Sequence, residues 1–253
     1  GAGSTVRRSL GTGFEGMTYP ERFLIVSTSA PLDEHLPDLD PVNYIADPEQ
    51  WLFILRTPDS WRVLYPVSPD QPDAEALHPD VIEAQLQAVA PRPGGYEVLD
   101  KQLYPVHQRV AESFRSGNVA LTGDAAHINS PIGGVGLNSG IHDAIDLSVR
   151  IGRIWDGETD RDRELATFAE RRRAVALEYV QADTVRNTQR LKESDDSVRL
   201  ANQEEMRSLA ADPDRQRTYL RRVSLLESVR RFGIGALDGV SAGVCAVPSR
   251  QPS

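Results

Sequence analysis

β-Branched and aromatic residues gather in three short runs near the amino end: RFLIVSTSA (22–30), NYIADPEQWLFILRT (43–57) and WRVLYPVS (61–68). Pro, Asp and Ser punctuate them, which predicts strands of an antiparallel sheet. TPDS, between the last two runs, suits a hairpin turn, with Pro58 at its second position and Asp59 and Ser60 able to bond the local backbone. STVRRSL (4–10) predicts a short helix that Ser4 would cap. In HPDVIEAQLQAVA (78–90) the apolar residues Val81, Ile82, Leu86, Val89 and Ala90 recur at helical spacing. YEVLDKQLYPVHQRVAESF (96–114) returns to alternation. After one predicted buried strand, NVALTGD (118–124), the chain reads as mainly helical. Long Arg- and Glu-rich helices are expected over 159–193 and about 198–231, with Pro213 breaking or starting one of them. The tail from Gly233 is rich in Gly, Ser and Pro, and partial disorder is expected there. The chain has no internal repeat.

Composition narrows the class. The 253 residues suffice for one large domain or two modest ones with a real core. A hydrophobic share of 40% and a charged share of 26% are those of an ordinary soluble globular protein. No run approaches the roughly 18 apolar residues of a membrane span, and the amino end lacks a signal-peptide layout, so a cytoplasmic location with no membrane partner is the default expectation. A net charge of −9 argues against a nucleic-acid partner, because displacing counterions from phosphates calls for a basic face. Lys101 and Lys192 are the only lysines, so arginine supplies nearly all the positive charge. The lone Cys245 excludes an internal disulfide and a Cys-rich zinc site, and the histidines (His35, His78, His107, His127, His142) form no ligand-spaced pair; no metal is expected.

Two glycine motifs fail on context. GTGFEG (11–16) has the G-x-G-x-x-G spacing of a dinucleotide fingerprint, but that site needs a strand before the first glycine and a helix from the third. Here a short helix precedes and a β-rich run follows, which predicts a loop leading into a sheet. GVSAG (239–243) has the spacing of a hydrolase nucleophile elbow, yet no histidine follows Ser241 to complete a triad. The pairs Asp38/Asp40 and Asp195/Asp196 lie in polar, turn-like stretches and read as solvated charge.

The stretch that carries chemistry is NVALTGDAAHINSPIGGVGLNSGIHDAIDLSVRI (118–151). Gly123-Asp124 sits at the carboxyl end of the predicted strand, where open α/β sheets place ligands. Pro131, Gly133, Gly134 and Gly136 follow, their missing side chains allowing a flat ligand close to the backbone. Beyond Leu137-Asn138, the spacing of Ile141, Ala144, Ile145, Ser148, Ile151 and Trp155 predicts a helix with one apolar face. Its free amino-terminal amides would point back at the glycine loop and favour negative charge there.

This segment resembles the second FAD-binding motif of the flavin-dependent aromatic hydroxylases, the single-component class A monooxygenases. The matching positions are Gly123, Asp124, Pro131, Gly133, Gly134, Gly136, Asn138, Asp143 and Ala144. GAGSTVRRSLG (1–11) is similar to the family's Asp-Gly motif without its leading Asp, and the likeness extends through ERRRAVALEYV (170–180). The resemblance implies an α/β fold, α+β in character here, comprising part of a Rossmann-type FAD-binding domain, an antiparallel substrate-binding sheet and carboxyl-terminal helices. Boundaries are expected at 1–14 (remnant of the FAD domain), 15–105 (substrate sheet), 106–193 (FAD domain) and 194–253 (helices and tail).

By the same resemblance, Asp124 would accept a hydrogen bond from a ribityl hydroxyl of FAD. The backbone of Gly136, Leu137 and Asn138 would face the N1/O2 edge of the ring, and Pro131 would line the side where a C4a-hydroperoxide forms. Gly123, Gly133 and Gly134 complete the cofactor loop. Arg62, Tyr104 and His107 fall on the sheet that covers the substrate in this family, whereas His127 reads as a histidine bonded within its loop. The implied function is hydroxylation of a phenolic or heteroaromatic substrate with O2 and NAD(P)H. Same-fold epoxidation or halogenation, and a non-catalytic remnant or partner-binding module, are the alternatives. The family's true G-x-G-x-x-G unit is not in this chain, so its partner is expected to be an amino-terminal portion of the same enzyme; the resemblance also leaves room for a homodimer.

Overall fold

The computed structural model describes residues 1–235. In chain order it runs α1 (Thr5–Ser9), β1 (Phe14–Thr28), α2 (Leu32–His35), β2 (Val42–Ile45), β3 (Leu52–Arg56), β4 (Trp61–Val67), α3 (Asp73–Ala76), α4 (Pro79–Val89) and β5 (Val98–Ala111). The short strands β6 (Arg115–Ser116), β7 (Val119–Ala120) and β8 (His127–Ile128) follow. The helices α5 (Gly136–Trp155), α6 (Arg161–Val175), α7 (Ala182–Leu191), α8 (Asp196–Ala211), α9 (Pro213–Val223) and α10 (Leu226–Phe232) complete it. Ser241, Cys245 and most of the tail expected to be disordered lie outside the described residues.

The predicted antiparallel sheet is present, in the order β2-β3-β4-β1-β5-β8. Its long centre is β1, which begins at Phe14 and so takes up the end of GTGFEG. Gly16 pairs with Arg109 of β5 at φ +134°, and a Cβ there would lie 2.1 Å from the Gln108 carbonyl oxygen. The third glycine therefore serves strand packing. Thr57 and Ser60 close the TPDS hairpin, with the Thr57 N–H donating to the Ser60 carbonyl at 2.8 Å. One sheet face buries Leu24, Val26, Ile54, Trp61, Val63 and Tyr65 against Ile82 and Leu86 of α4. The other gathers Phe23, Trp51, Leu64 and Val106 around Ile132 and Leu191. This is the mixed architecture that the sequence predicts.

The helical half follows its caps. Ser4, Asp160, Asp195 and Asp212 each accept a backbone N–H of the first turn of α1, α6, α8 and α9, and Pro213 opens α9 as expected. The helix expected over 159–193 runs through a π-helical segment, Ala176–Gln181, that joins α6 to α7.

Two expectations need correction. The buried strand foreseen at 118–124 shrinks to β7, which pairs only with β6 and leaves Val119 38% exposed. A strand lasts as long as its backbone finds partners: the Leu121 N–H still reaches the Phe114 carbonyl at 2.8 Å, and Gly123 already opens a 3-10 turn. The helix at α5 forms, but the side turned inward is the polar one: Ser139, Asp143, Asp146 and Arg150 are buried. The apolar stripe stays in solvent, with Leu137 78%, Ile145 46% and Trp155 87% exposed. α6 explains the inversion by offering charges that match. Arg150 donates to Asp146 at 3.0 Å and to Glu164 at 2.6 Å, and Arg172 donates to Asp143.

Candidate functional site

The site is built on the turn that follows β7. Thr122 is extended, Gly123 takes φ +53°, and Gly123–Ala125 form one 3-10 turn. The first turns of α5 press against it: a Cβ on Gly140 would stand 3.3 Å from the Gly123 Cα. The Gly123 N–H donates to Asp143 Oδ2 at 2.9 Å, which His127 Nε2 also meets at 2.8 Å, while Arg172 Nε donates to Oδ1 at 2.6 Å. Burial opposes a charge on Asp143, but His127 and Arg172 outweigh it and hold its carboxyl below the usual range. One buried carboxylate thus clasps the turn from below, and the side chain of Asp124 is left facing solvent.

The second part is the loop before α5. Ser130 starts a 3-10 turn over Pro131–Gly133, and Ile132 plunges into the sheet core beside Phe23, Trp51 and Leu64. Gly133 has no room for a side chain, since a Cβ would lie 2.4 Å from Thr184 Oγ1, an atom that Asn129 Nδ2 already binds at 2.6 Å. Gly134 is left-handed, at φ +65°. α5 then begins at Gly136 behind Val135, with no side-chain cap and no acidic residue in its first turn. Pro131, Gly134, Leu137 and Asn138 are exposed. Free backbone amides at a helix start, a glycine cradle and an exposed carboxylate fit an uncharged polyol beside an electron-rich ring edge.

The three sheet residues divide by strand alternation. Tyr104 belongs to the Ile132 side, edge-on to Phe23 at 6.3 Å, and burial pushes its phenol up to about 12. Arg62, two residues from Leu64 on β4, shares that side and is exposed. His107 lies between the inward Val106 and Gln108, hence on the opposite side, where Nδ1 meets Thr18 Oγ1 at 2.9 Å. Sequence reasoning missed Arg172, Gly140 and Thr184. Only Arg172 left a trace, an arginine on the inner side of α6.

A glycine-relieved turn, an uncapped helix start and an adjoining aromatic sheet face make a site suited to a flat ring with an electron-rich edge. Residues 1–183 match the FAD binding domain family, and the chain belongs to it. It is 34% identical over 225 residues to para-nitrophenol 4-monooxygenase of Pseudomonas sp. (strain WBC-3), covering 87% of this chain and 55% of that protein. Among solved structures, p-nitrophenol 4-monooxygenase from Pseudomonas putida DLL-E4 superposes with a TM-score of 0.80 at 29% identity, over 92% of this chain and 58% of that one. Aklavinone-11 hydroxylase, solved with FAD and aklavinone, gives 0.61 at 27% identity, over 73% of this chain and 36% of that one. The chain spans between about a third and somewhat more than half of the length of these relatives. Among the described residues, no helix is long and apolar enough to cross a membrane and no cluster of ligands could hold a metal ion.

Proposed function

We propose that this chain is the flavin-ring and substrate part of an FAD-dependent aromatic hydroxylase that uses NAD(P)H and O2. The observation that carries the reading is Ile132: it pins the glycine loop at the head of α5 into the aromatic side of the sheet, with Phe23, Trp51 and Tyr104. A cofactor lying on the loop and a substrate lying on the sheet would then share one boundary. Bound FAD, reduced by NAD(P)H, would supply the oxygen chemistry. Asp124 accepts a ribityl hydroxyl, the amides of Gly136, Leu137 and Asn138 favour negative charge on the ring edge, and Pro131 with Gly133 and Gly134 keeps side chains off its face. Gly123 holds Asp124 in position. Tyr104 and Arg62 are the substrate contacts on that side of the sheet; the names of the matched hydroxylases, all of aromatic compounds, support this substrate class.

The ADP part of FAD calls for a further unit, a strand, a G-x-G-x-x-G turn and a helix. The apolar stripe of α5, about 27 Å long at 1.5 Å per residue, is a face such a unit would cover. The test uses a longer protein that contains this sequence: phenol-dependent NAD(P)H oxidation, with 18O from O2 found in the product. Oxidation that no aromatic compound stimulates would overturn the reading, and a product gaining an epoxide or a halogen would move it to the same-fold alternatives.

A further inference from the structure

Between β2, α7, α8 and α9 lies a cavity of about 430 Å³, in the range of small-molecule sites. It adjoins the glycine loop, because a Cβ on Gly134 would sit 3.8 Å from the Tyr44 hydroxyl. Tyr44 also packs against Phe53 at 4.8 Å, which continues the aromatic side of the sheet from Tyr104 to the sheet's β2 edge. Leu191 belongs both to the cavity wall and to the core that seats Ile132. Tyr219 of α9 faces Tyr44 across the space; burial, with Tyr219 adding to it, raises the Tyr44 phenol, so its hydroxyl remains a donor.

The charge of the lining is one-sided: Arg190, Arg199 and Arg207 contribute and no carboxylate does. Two of the three have acidic partners, although Arg199 Nε is buried without an acceptor. Arg199 donates to Asp196 at 3.0 Å and to the Ala46 carbonyl at 3.3 Å, and Arg207 stands 3.6 Å from Glu204. Arg190 meets only the Met206 sulfur, at 3.9 Å, and among the described residues has no oxygen acceptor. The Arg190 guanidinium is open to the space of the cavity, and its rigid fork matches a carboxylate with two parallel hydrogen bonds.

We infer that this cavity receives the acidic group of an aromatic anion, with Arg190 as its anchor and Tyr44 and Tyr219 flanking the ring. The inference rests on the proposed function for its choice of an aromatic substrate, and it adds a specificity determinant outside the flavin motif. A neutral aromatic of the same size would lose the Arg190 contact and keep only the ring contacts.

The test is calorimetric titration of the 253-residue chain with 4-hydroxybenzoate and, separately, with its neutral counterpart 4-hydroxybenzamide. The anion is expected to bind about tenfold or more tightly than the amide. R190Q should abolish that preference, R190K should restore part of it, and R163Q, an exposed change on α6, should leave it intact. FAD binding by the same variants is followed by flavin fluorescence in a longer protein that contains this sequence. If R190Q loses the preference and FAD binding is unaltered, the cavity is the anion site. If the preference depends on Arg190 but FAD and hydroxylation fail in the longer protein, the functional reading falls and the cavity assignment stands. Equal affinity for the two probes, an R190Q chain that still discriminates, or no saturable binding of 4-hydroxybenzoate at millimolar concentration each overturns the assignment.

Discussion

Arg172 and Asp143, 29 residues apart, meet at 2.6 Å with both side chains out of solvent, and the other oxygen of Asp143 holds the Gly123 N–H. A helix–helix ion pair is thereby joined to the backbone of the turn that presents Asp124. Asp143 accepts three hydrogen bonds and offers none, a role that only a carboxylate fills. In D143N the amide nitrogen would turn a donor toward a donor on one side or the other. R172M would remove the cation and leave Asp143 under-compensated. Removing one partner of a buried pair costs about 3–5 kcal/mol, and each single variant should show a loss of that order in urea denaturation. The double variant D143N/R172M should cost less than the sum by about 1–3 kcal/mol, because the pair is lost only once. Strict additivity would mean that the two side chains are not coupled.

The same carboxyl gives stability a pH dependence of known sign. Its pKa is depressed in the folded chain, so between that value and the unfolded one, about 3.9, the unfolded state binds more protons. The contribution is complete above the unfolded value and fades as pH falls through the folded one. Glu164 is depressed as well; burial resists its charge, and Arg150 and Thr159 outweigh that. Urea midpoints measured from neutral pH down to about 3 should therefore fall steeply at the acid end, and D143N should flatten that limb. An unchanged slope in D143N would assign the acid sensitivity to other carboxylates.

At Gly133 the constraint is space. An added methyl would collide with Thr184 Oγ1, the atom that fixes Asn129, so G133A must push α7 or the loop aside. G133A should lower Tm, and T184A should partly rescue it by opening the space. In a longer protein that binds FAD, G133A should also weaken flavin retention, read as flavin absorbance per chain. G133A with unaltered Tm and flavin content would mean that the loop has slack.

How far the sequence reached depended on whether the deciding interactions were local. Strands at 22–30 and 61–68, the helix at 78–90, the hairpin at TPDS and the break at Pro213 rest on turn chemistry and periodicity, and each was legible. GTGFEG was correctly set aside on its neighbours, and Gly16 supplies the physical cause, its close approach to Gln108. The glycine loop from Pro131 was legible because glycines and a helix start leave a local mark, although the helix begins at Gly136, ahead of Leu137-Asn138. The clasp beneath it was not. Asp143 and Arg172 find each other only when α5 and α6 pack, and no period in the sequence encodes that pair. The inward-facing polar side of α5 was missed for the same reason: an apolar stripe signals that something covers it, without saying whether the cover belongs to this chain. The division of Tyr104 and His107 between the two sheet sides needed the register of β5 against β1, which shifts between Thr18 and Arg22.

Trp155 makes the exposed stripe measurable. It is 87% exposed, whereas Trp51 and Trp61 are 6% and 3% exposed, so one of the chain's three tryptophans sits in water. The folded 253-residue chain should show a red-shifted emission component that acrylamide quenches readily, and W155F should remove it with little change in Tm, since surface substitutions usually stay within about 0.5 kcal/mol. If a cofactor-binding unit covers α5 in a longer protein, quenching of Trp155 should drop there. The change I145E would then weaken flavin retention in that protein while leaving the stability of the shorter chain nearly unaltered, because Ile145 is half exposed in it. Equal quenching of Trp155 in both proteins, together with an I145E variant that retains flavin, would remove this face from the cofactor assembly.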